Sequence, residues 1–231
     1  MRRVESKWSS LRHAISETNL MLPENNHVLR VHRFLPETEV EGPGRRAALW
    51  VQGCPIQCPG CANGATWSFN GGYQASIKDL FEQIQEQQNI EGVTFIGGEP
   101  FSQAQALAVL GRMCHEHGLS VVTFTGYDYP RLVVANRSDW NSLLAVTDLL
   151  LAGPFLENQK DFSRSWVGSR NQEFIFLTNR YRYLQADGCP TKNGLEIQIA
   201  PNGVVRLNGL APVEDISAFR MELASLGLHT N

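Results

Sequence analysis

Short apolar segments rich in β-branched and aromatic residues alternate with helical patterns along this chain, and this alternation constrains its fold more than any other feature. The core series of predicted strands covers residues 47–53, 92–98, 119–126, 147–153 and 173–177. Strands that alternate with helices predict a parallel sheet wrapped by helices, with right-handed connections. About six such units predict an α/β fold, namely a partial TIM-like (β/α) barrel of mostly parallel strands rather than a closed eightfold barrel.

Helix signals occupy the gaps between these strands. Ser76 is predicted to cap one helix, because Asp79 completes an S-x-x-D start. Ser102 is predicted to open another helix, which stops at Gly118. The adjacent Arg45 and Arg46, just before the first core strand, are interpreted as a solvated charge pair.

The two ends of the chain are predicted to add elements to the barrel. Residues 28–35 read as a lead-in strand, residues 195–209 as a hairpin with an Asn-Gly turn, and residues 212–226 as a last helix. We expect a single domain over residues 41–231, with an N-terminal extension over residues 1–40.

Composition excludes several classes of protein. The chain has 231 residues, 42% of them hydrophobic, and a formal net charge of −3, so no global basic excess indicates nucleic-acid binding. No apolar run approaches the roughly 18 residues that a membrane helix needs. The N-terminus lacks the apolar core and cleavage site of a secretory signal, so we expect a cytoplasmic protein. In that compartment clustered cysteines are more often metal ligands or catalytic groups than disulfides.

Three of the five cysteines follow the first core strand directly, as Cys54, Cys58 and Cys61 in a C-x3-C-x2-C spacing. A structural zinc site normally has four protein ligands. Of the other two cysteines, Cys114 is interpreted as a core residue, and the role of Cys189 is left open. A 4Fe-4S cluster suits the loop better, because three irons take the three thiolates and the fourth stays open to an outside ligand. A zinc knuckle or unligated thiols are the alternatives.

An ordered set of motifs surrounds these cysteines. It comprises EGPGRRAALWVQGCPIQCPGCANGATW (41–67), FIGGEPFSQ (95–103), TFTGY (123–127), LLLAGPF (149–155) and WVGSRNQ (166–172). In this order the motifs resemble the radical S-adenosylmethionine (SAM) superfamily, and in particular the small activating enzymes of the anaerobic ribonucleotide reductase and glycyl-radical type. The resemblance implies a 4Fe-4S cluster and SAM as cofactors, reductive cleavage of SAM to a 5'-deoxyadenosyl radical, and hydrogen abstraction from a substrate.

The resemblance also implies which residues contact SAM. Along the methionine moiety lie Gly97, Gly98, Glu99 and Pro100. Near the adenosine lie Gly60, Ala62, Pro154, Phe155 and Leu156. Hydrogen bonds to ribose or carboxylate groups are expected from Ser169 and Asn171. Each set has a structural alternative: a strand-to-helix turn for the GGEP loop, core packing for residues 154–156, and a polar turn for residues 169–171.

Partners follow from the same resemblance. We expect a one-electron donor such as flavodoxin or ferredoxin, and a glycyl-radical enzyme whose backbone glycine loses a hydrogen atom. The additional C-terminal section, residues 173–231, leaves open a tailoring enzyme that acts on a small molecule, nucleotide or peptide. A non-catalytic iron–sulfur or zinc protein is the third hypothesis.

Overall fold

The computed structural model describes residues 28–186, 194–199, 204–225 and 229–230. Seven strands form the main sheet: β1 (Val28–Thr38), β2 (Arg46–Val51), β3 (Tyr73–Ser76), β4 (Gly92–Gly97), β5 (Ser120–Thr125), β6 (Leu149–Ala152) and β7 (Glu173–Phe176). A smaller sheet contains β8 (Leu195–Ile199), β9 (Val204–Gly209) and β10 (His229–Thr230). The helices are α1 (Ile77–Gln85), α2 (Ala104–Glu116), α3 (Tyr129–Ala135), α4 (Ser138–Val146), α5 (Tyr183–Ala186) and α6 (Val213–Ser225). Within the described ranges, no helix has the length and apolar composition needed to cross a membrane.

The main sheet is parallel at its centre and antiparallel at its sides. Its strand order is β3-β1-β2-β4-β5-β6-β7. The four central strands β2, β4, β5 and β6 pair in parallel, as expected of strands joined by helices. The last strand of the predicted series, β7, instead pairs antiparallel with β6. The mixed α/β class with a parallel centre is therefore confirmed, while curvature of the sheet into a partial barrel stays a prediction.

Side chains of the central strands alternate between two faces, because successive residues of a strand point to opposite sides. In β2, Ala47, Leu49 and Val51 are completely buried against the main hydrophobic core formed with α1, α2 and α4. Ala48 and Trp50 point to the opposite face and pack in a separate small cluster. We call this second side, away from α1, α2 and α4, the inner face of the main sheet.

The helix signals hold in part. The hydroxyl of Ser76 accepts a hydrogen bond from the amide of Asp79 at 3.1 Å, so the predicted cap of α1 is confirmed. The predicted opening by Ser102 is wrong. A 3-10 turn at Pro100–Gln103 comes first, and the Glu99 side chain accepts the amide hydrogen bond at its start. A buried acid five residues before α2 thus replaces the expected serine cap.

The buried position of Arg46 also differs from the prediction. Arg45 is exposed and forms an ion pair with Glu37, as a solvated charge does. Arg46 is completely buried, and it donates hydrogen bonds to the Thr94 hydroxyl at 2.7 Å and the Tyr181 hydroxyl at 3.2 Å. Since the side chains alternate along β2, the second arginine necessarily points to the inner face, where polar partners receive it.

The C-terminal section forms the smaller sheet and α6. β8 pairs antiparallel with β9, as the predicted hairpin requires, although its Asn202-Gly203 turn lies outside the described residues. The predicted last helix corresponds to α6. At the other end of the chain, β1 pairs with β2, so residues 28–38 belong to the main sheet. The domain boundary at residue 40 stays a prediction.

Candidate functional site

Four loops meet at one edge of the main sheet. They follow β2, β4, β5 and β6, whose carboxyl ends share this edge because the strands are parallel. Catalytic and binding residues gather at this edge in related α/β folds. Backbone hydrogen bonds tie the loops together: the amide of Glu99 donates to Gly53 at 2.9 Å, and that of Gly153 donates to Tyr127 at 3.1 Å. The site is therefore built from loops that brace one another.

The cysteine loop leaves β2 and returns alongside its own beginning. The amide of Gly53 donates to the carbonyl of Thr66 at 2.7 Å, and the amide of Cys54 donates to Trp67 at 3.0 Å. These two bonds close a short ring of backbone that contains all three cysteines. The backbone of the chain itself therefore gives the loop a defined shape.

A buried glutamine that the sequence analysis missed pins the same ring. Gln52 is 2% exposed, and its side-chain amide donates to the carbonyls of Ala65 at 3.3 Å and Ser68 at 2.7 Å. The available signal was a polar residue at the end of an otherwise apolar strand. Such a side chain is expected to find hydrogen-bond partners when it is buried.

The three thiols lie in this ring at different depths. Cys54 is 9% exposed, whereas Cys58 and Cys61 are half-buried. The structure therefore brings the predicted trio together at the mouth of the four loops. Cys114 is completely buried in the core, where burial raises the pKa of its thiol to about 12, as expected of a packing residue. Cys189 lies outside the described residues.

Backbone amides point at two of the sulfurs. Burial raises the pKa values of the Cys54 and Cys58 thiols above the ordinary value, because it disfavours the thiolate. Opposing this, the amides of Gln57 and Ile56 donate to Cys54, and the amide of Phe155 donates to Cys58. Donors placed this way stabilise negative charge on sulfur, which is what ligation of a metal by thiolates requires.

The number of thiols in the loop bears on the kind of metal centre. A structural zinc site normally has four protein ligands. In a 4Fe-4S cluster each thiolate binds a different iron, and three thiolates leave one iron open to an outside ligand. The three thiols of the loop are therefore a ligand set that such a cluster takes.

The GGEP loop is pressed against the cysteine loop. A methyl group on Gly98 would lie 2.4 Å from the carbonyl oxygen of Gly53, and the amide of Glu99 donates to that same oxygen at 2.9 Å. Gly97 has a φ of 103°, a conformation that favours glycine. The glycines were expected to clear space for a ligand. The structure shows that the space at Gly98 is taken by the cysteine loop.

Glu99 joins the loops after β4 and β5 from a completely enclosed position. Its side chain is 1% exposed and accepts hydrogen bonds from the amide of Phe101, the hydroxyl of Thr125 and the amide of Gly126, each at 2.9 Å. Burial raises the pKa of this carboxyl to about 7, and the three donors oppose that rise. Pro100 begins the following 3-10 turn and is buried. Glu99 and Pro100 therefore hold the loop in place.

The loop after β6 packs against Gly60, the residue before the third cysteine. A methyl group on Gly60 would lie 3.2 Å from the ring of Phe155 and 3.3 Å from the carboxyl carbon of Glu157. Gly60 also has a φ of 76°, in the left-handed region. Ala62 is exposed beside it, and Pro154 and Leu156 are half-buried. The structure therefore packs Phe155 directly against Gly60.

A polar turn at residues 168–172 supports this loop from behind. Ser169 is completely buried, and its hydroxyl accepts the amide of Leu156 at 3.2 Å. The side-chain amide of Asn171 donates to the carbonyl of Pro154 at 2.7 Å. The other end of that side chain, Oδ1, is buried without a hydrogen-bond partner. Since an amide oxygen only accepts, Asn171 fits a ligand that brings an N–H or O–H group.

Comparison with known proteins bears on the same region. Residues 40–175 match the family model described as a 4Fe-4S single cluster domain. The anaerobic ribonucleoside-triphosphate reductase-activating protein of Salmonella typhimurium is 31% identical over 153 residues, which are 62% of this chain and 96% of that protein. The protein of the same description from Escherichia coli (strain K12) is 32% identical over the same shares.

Two further matches cover a smaller share of the matched proteins. The pyruvate formate-lyase-activating enzyme of Clostridium pasteurianum is 30% identical over 128 residues, which are 53% of this chain and 50% of that enzyme. Among solved structures, that of QueE from Escherichia coli matches with 22% identity and a TM-score of 0.37. It covers 43% of this chain and 53% of that one. The matched region of this chain contains all three clustered cysteines and the four loops around them.

Proposed function

This chain belongs to the family of 4Fe-4S single cluster domains, and on that premise we propose that it is a radical SAM activating enzyme. Its relatives named above are activating proteins, and its sequence spans 96% of the Salmonella typhimurium one. The observation that carries the proposal is the ring of backbone that presents three thiols, with amide donors aimed at two of them, beside the GGEP loop.

Cys54, Cys58 and Cys61 are the proposed ligands of the cluster. When bound, the cluster and SAM supply a 5'-deoxyadenosyl radical, formed by one-electron cleavage of a carbon–sulfur bond, that takes a hydrogen atom from the substrate. The chain's own part is to hold the thiolates, orient SAM and exclude water. The amide of Phe155 contributes to the first of these tasks, because it stabilises the charge of the Cys58 thiolate.

The proposed SAM site lies between the GGEP loop and the loop after β6. Phe155 against Gly60 supplies an apolar wall, and the unpartnered Oδ1 of Asn171 supplies an acceptor for a ribose hydroxyl or the adenine amino group. Ser169 acts behind the wall, because its hydroxyl fixes the backbone of Leu156. Direct contact of SAM with Ala62, Pro154 and Leu156 is part of the same proposal.

The proposed substrate is a backbone glycine of a partner enzyme. The relatives from Salmonella typhimurium and Clostridium pasteurianum are named for activating a ribonucleoside-triphosphate reductase and a pyruvate formate-lyase. A flavodoxin or ferredoxin is the proposed one-electron donor.

A second candidate is a tailoring enzyme for a small molecule, nucleotide or peptide. The match to the activating proteins covers 62% of this chain, and the section after β7 adds a second sheet. Asn208 of that sheet donates a hydrogen bond to the Thr38 hydroxyl at 3.0 Å, so the addition touches the end of β1. Elements added beside the inner face favour a substrate site with its own walls.

The test is anaerobic reconstitution with iron and sulfide, followed by reduction in the presence of SAM. We expect 5'-deoxyadenosine from the parent protein and from the control Cys114→Ala, and none from Cys58→Ala. Incubation with an anaerobic ribonucleoside-triphosphate reductase should then give a glycine-centred radical in the electron paramagnetic resonance spectrum. Product formation without that radical, but with deuterium transfer from a labelled small molecule, would favour the tailoring enzyme. A loaded cluster that gives no product would rule out both candidates.

A further inference from the structure

An arginine on the inner face of the main sheet has no partner for part of its guanidinium group. Arg33 lies in β1 directly opposite Trp50 of β2. Its guanidinium carbon is 5.0 Å from the centre of the Trp50 ring. An aromatic face at this distance attracts the cation and limits its motion. Arg33 is thus held in position.

The unpartnered atom of Arg33 is Nη2. Three buried side-chain polar atoms of the described residues have no hydrogen-bond partner, and Nη2 is the one that carries positive charge. Burial lowers the pKa of this guanidinium from its usual value. A buried donor without an acceptor is costly, and in native structures it commonly marks an absent ligand, ion or water.

A second arginine lies close to Arg33. Arg206, on β9 of the smaller sheet, is close enough to lower the pKa of Arg33 by repulsion, after the larger effect of burial. Glu196, on β8, opposes this repulsion, and its carboxylate accepts hydrogen bonds from the Thr38 hydroxyl at 2.5 Å and the Gln198 side-chain amide at 2.9 Å. Arg33 and Arg206 therefore lie close enough to act on one ligand, while the carboxylate of Glu196 has hydrogen-bond partners of its own.

The remaining acid nearby is Glu41, in the connection between β1 and β2. Burial raises the pKa of its carboxyl to about 8, with Arg33 opposing that rise and Glu196 adding to it. The amide of Gly209 donates a hydrogen bond to this carboxyl. Glu41 is thus the acid with the largest charge effect on Arg33, but it supplies no hydrogen bond to Nη2, which stays without an acceptor.

We propose that Arg33, assisted by Arg206, binds an oxyanion, namely a carboxylate or phosphate group of a ligand that occupies the inner face of the main sheet. A guanidinium presents paired N–H donors that match either group. Trp50, on which Arg33 is stacked, precedes Cys54 by four residues at the same end of β2. The ligand would therefore lie next to the cysteine loop, on the side where a substrate of the proposed enzyme would be held. Only this last assignment rests on the proposed function.

Titration of the cluster-loaded protein with inorganic phosphate at low chloride tests the site, with binding measured by calorimetry at pH 7. We expect saturable binding that Arg33→Gln weakens at least about tenfold, because a charge-assisted hydrogen bond is lost. Arg33→Lys, which keeps the charge but not the paired donors, should bind with intermediate affinity. The matched control is Arg137→Gln, which removes an exposed arginine paired with Asp139 and should bind phosphate as the parent does.

Three results would overturn the proposal: no phosphate binding by the parent, unchanged binding by Arg33→Gln, or an equal loss in Arg137→Gln. If Arg33→Gln does not fold, the exposed Arg206→Gln serves instead, and it should weaken binding severalfold. The titration needs neither SAM nor a reductant, so its failure would leave the proposed function untouched.

The source of the oxyanion is decided in a second arm. An anaerobic ribonucleoside-triphosphate reductase is titrated into the protein with and without phosphate. Competition between the two would identify an acidic group of the protein partner as the ligand. Independent binding would identify an anionic small molecule. Both results require the phosphate site, and they differ only in what occupies it.

Discussion

Replacing Gly98 with alanine should lower the free energy of unfolding by about 2 to 3 kcal/mol. The new methyl group would lie 2.4 Å from the carbonyl oxygen of Gly53, whereas ordinary contacts of this kind are about 3.5 Å. The two loops must therefore separate by roughly 1 Å, which breaks the hydrogen bonds from the amides of Gly98 and Glu99. Loss of each of these two hydrogen bonds costs about 1 kcal/mol, and overpacking adds a cost of about 1 kcal/mol or more. The alanine also makes the unfolded chain stiffer, which offsets about 0.5 kcal/mol of this loss.

Urea denaturation of the parent and variant, at equal cluster loading, measures this change. A slope of about 2 kcal/mol/M predicts a midpoint about 1 M lower. The matched control is Gly64→Ala in the same cysteine loop, where a methyl group would meet nothing closer than 4.0 Å. That control should change stability by less than about 0.5 kcal/mol. Equal midpoints for Gly98→Ala and the parent would refute the contact between the two loops as the reason for glycine at this position.

Two further predictions concern buried charges away from the site. Arg46→Met should destabilise the protein by about 3 kcal/mol in the same assay, because the completely buried arginine donates hydrogen bonds to Thr94 and Tyr181, among others. A loss of stability below about 1 kcal/mol would contradict this. Burial works to raise the pKa of Asp148, but hydrogen bonds from His115 and its other donors lower it overall. The free energy of unfolding should therefore fall as the pH drops below about 4, and Asp148→Asn should make it depend less on pH between pH 2 and 6. An equally steep pH dependence in the variant would contradict the lowered pKa of Asp148.

The parts of the fold that follow from local patterns were predictable from the sequence. For β2, a short apolar segment predicted a buried strand, and Ser76 with Asp79 predicted a helix start. The side of the sheet on which Arg46 lies depends on the register of β2, which a charge pair in the sequence does not reveal. Ser102 failed as a cap because Glu99, an acid buried by loops from elsewhere in the chain, took the amide at the start of the turn.

The candidate site also has one part that was predictable from the sequence and one part that was not. The spacing of Cys54, Cys58 and Cys61 predicted a metal centre with three thiolate ligands, because residues this close in sequence stay close in the fold. The braces around it, such as Gln52 and the contact between Gly98 and Gly53, join segments that meet only in the folded chain. The unpartnered Nη2 of Arg33 was likewise not predictable, since its surroundings form only when the strands pair and the smaller sheet is in place.

Mössbauer spectroscopy of the iron-labelled, anaerobically reconstituted protein, with and without SAM, tests the central claim most directly. The account predicts a 4Fe-4S cluster on three cysteines, in which SAM changes the signal of a single iron, and loss of the cluster in Cys54→Ala, Cys58→Ala or Cys61→Ala. A cluster whose four irons are all indifferent to SAM would contradict the account, as would a tightly bound zinc ion with four protein ligands.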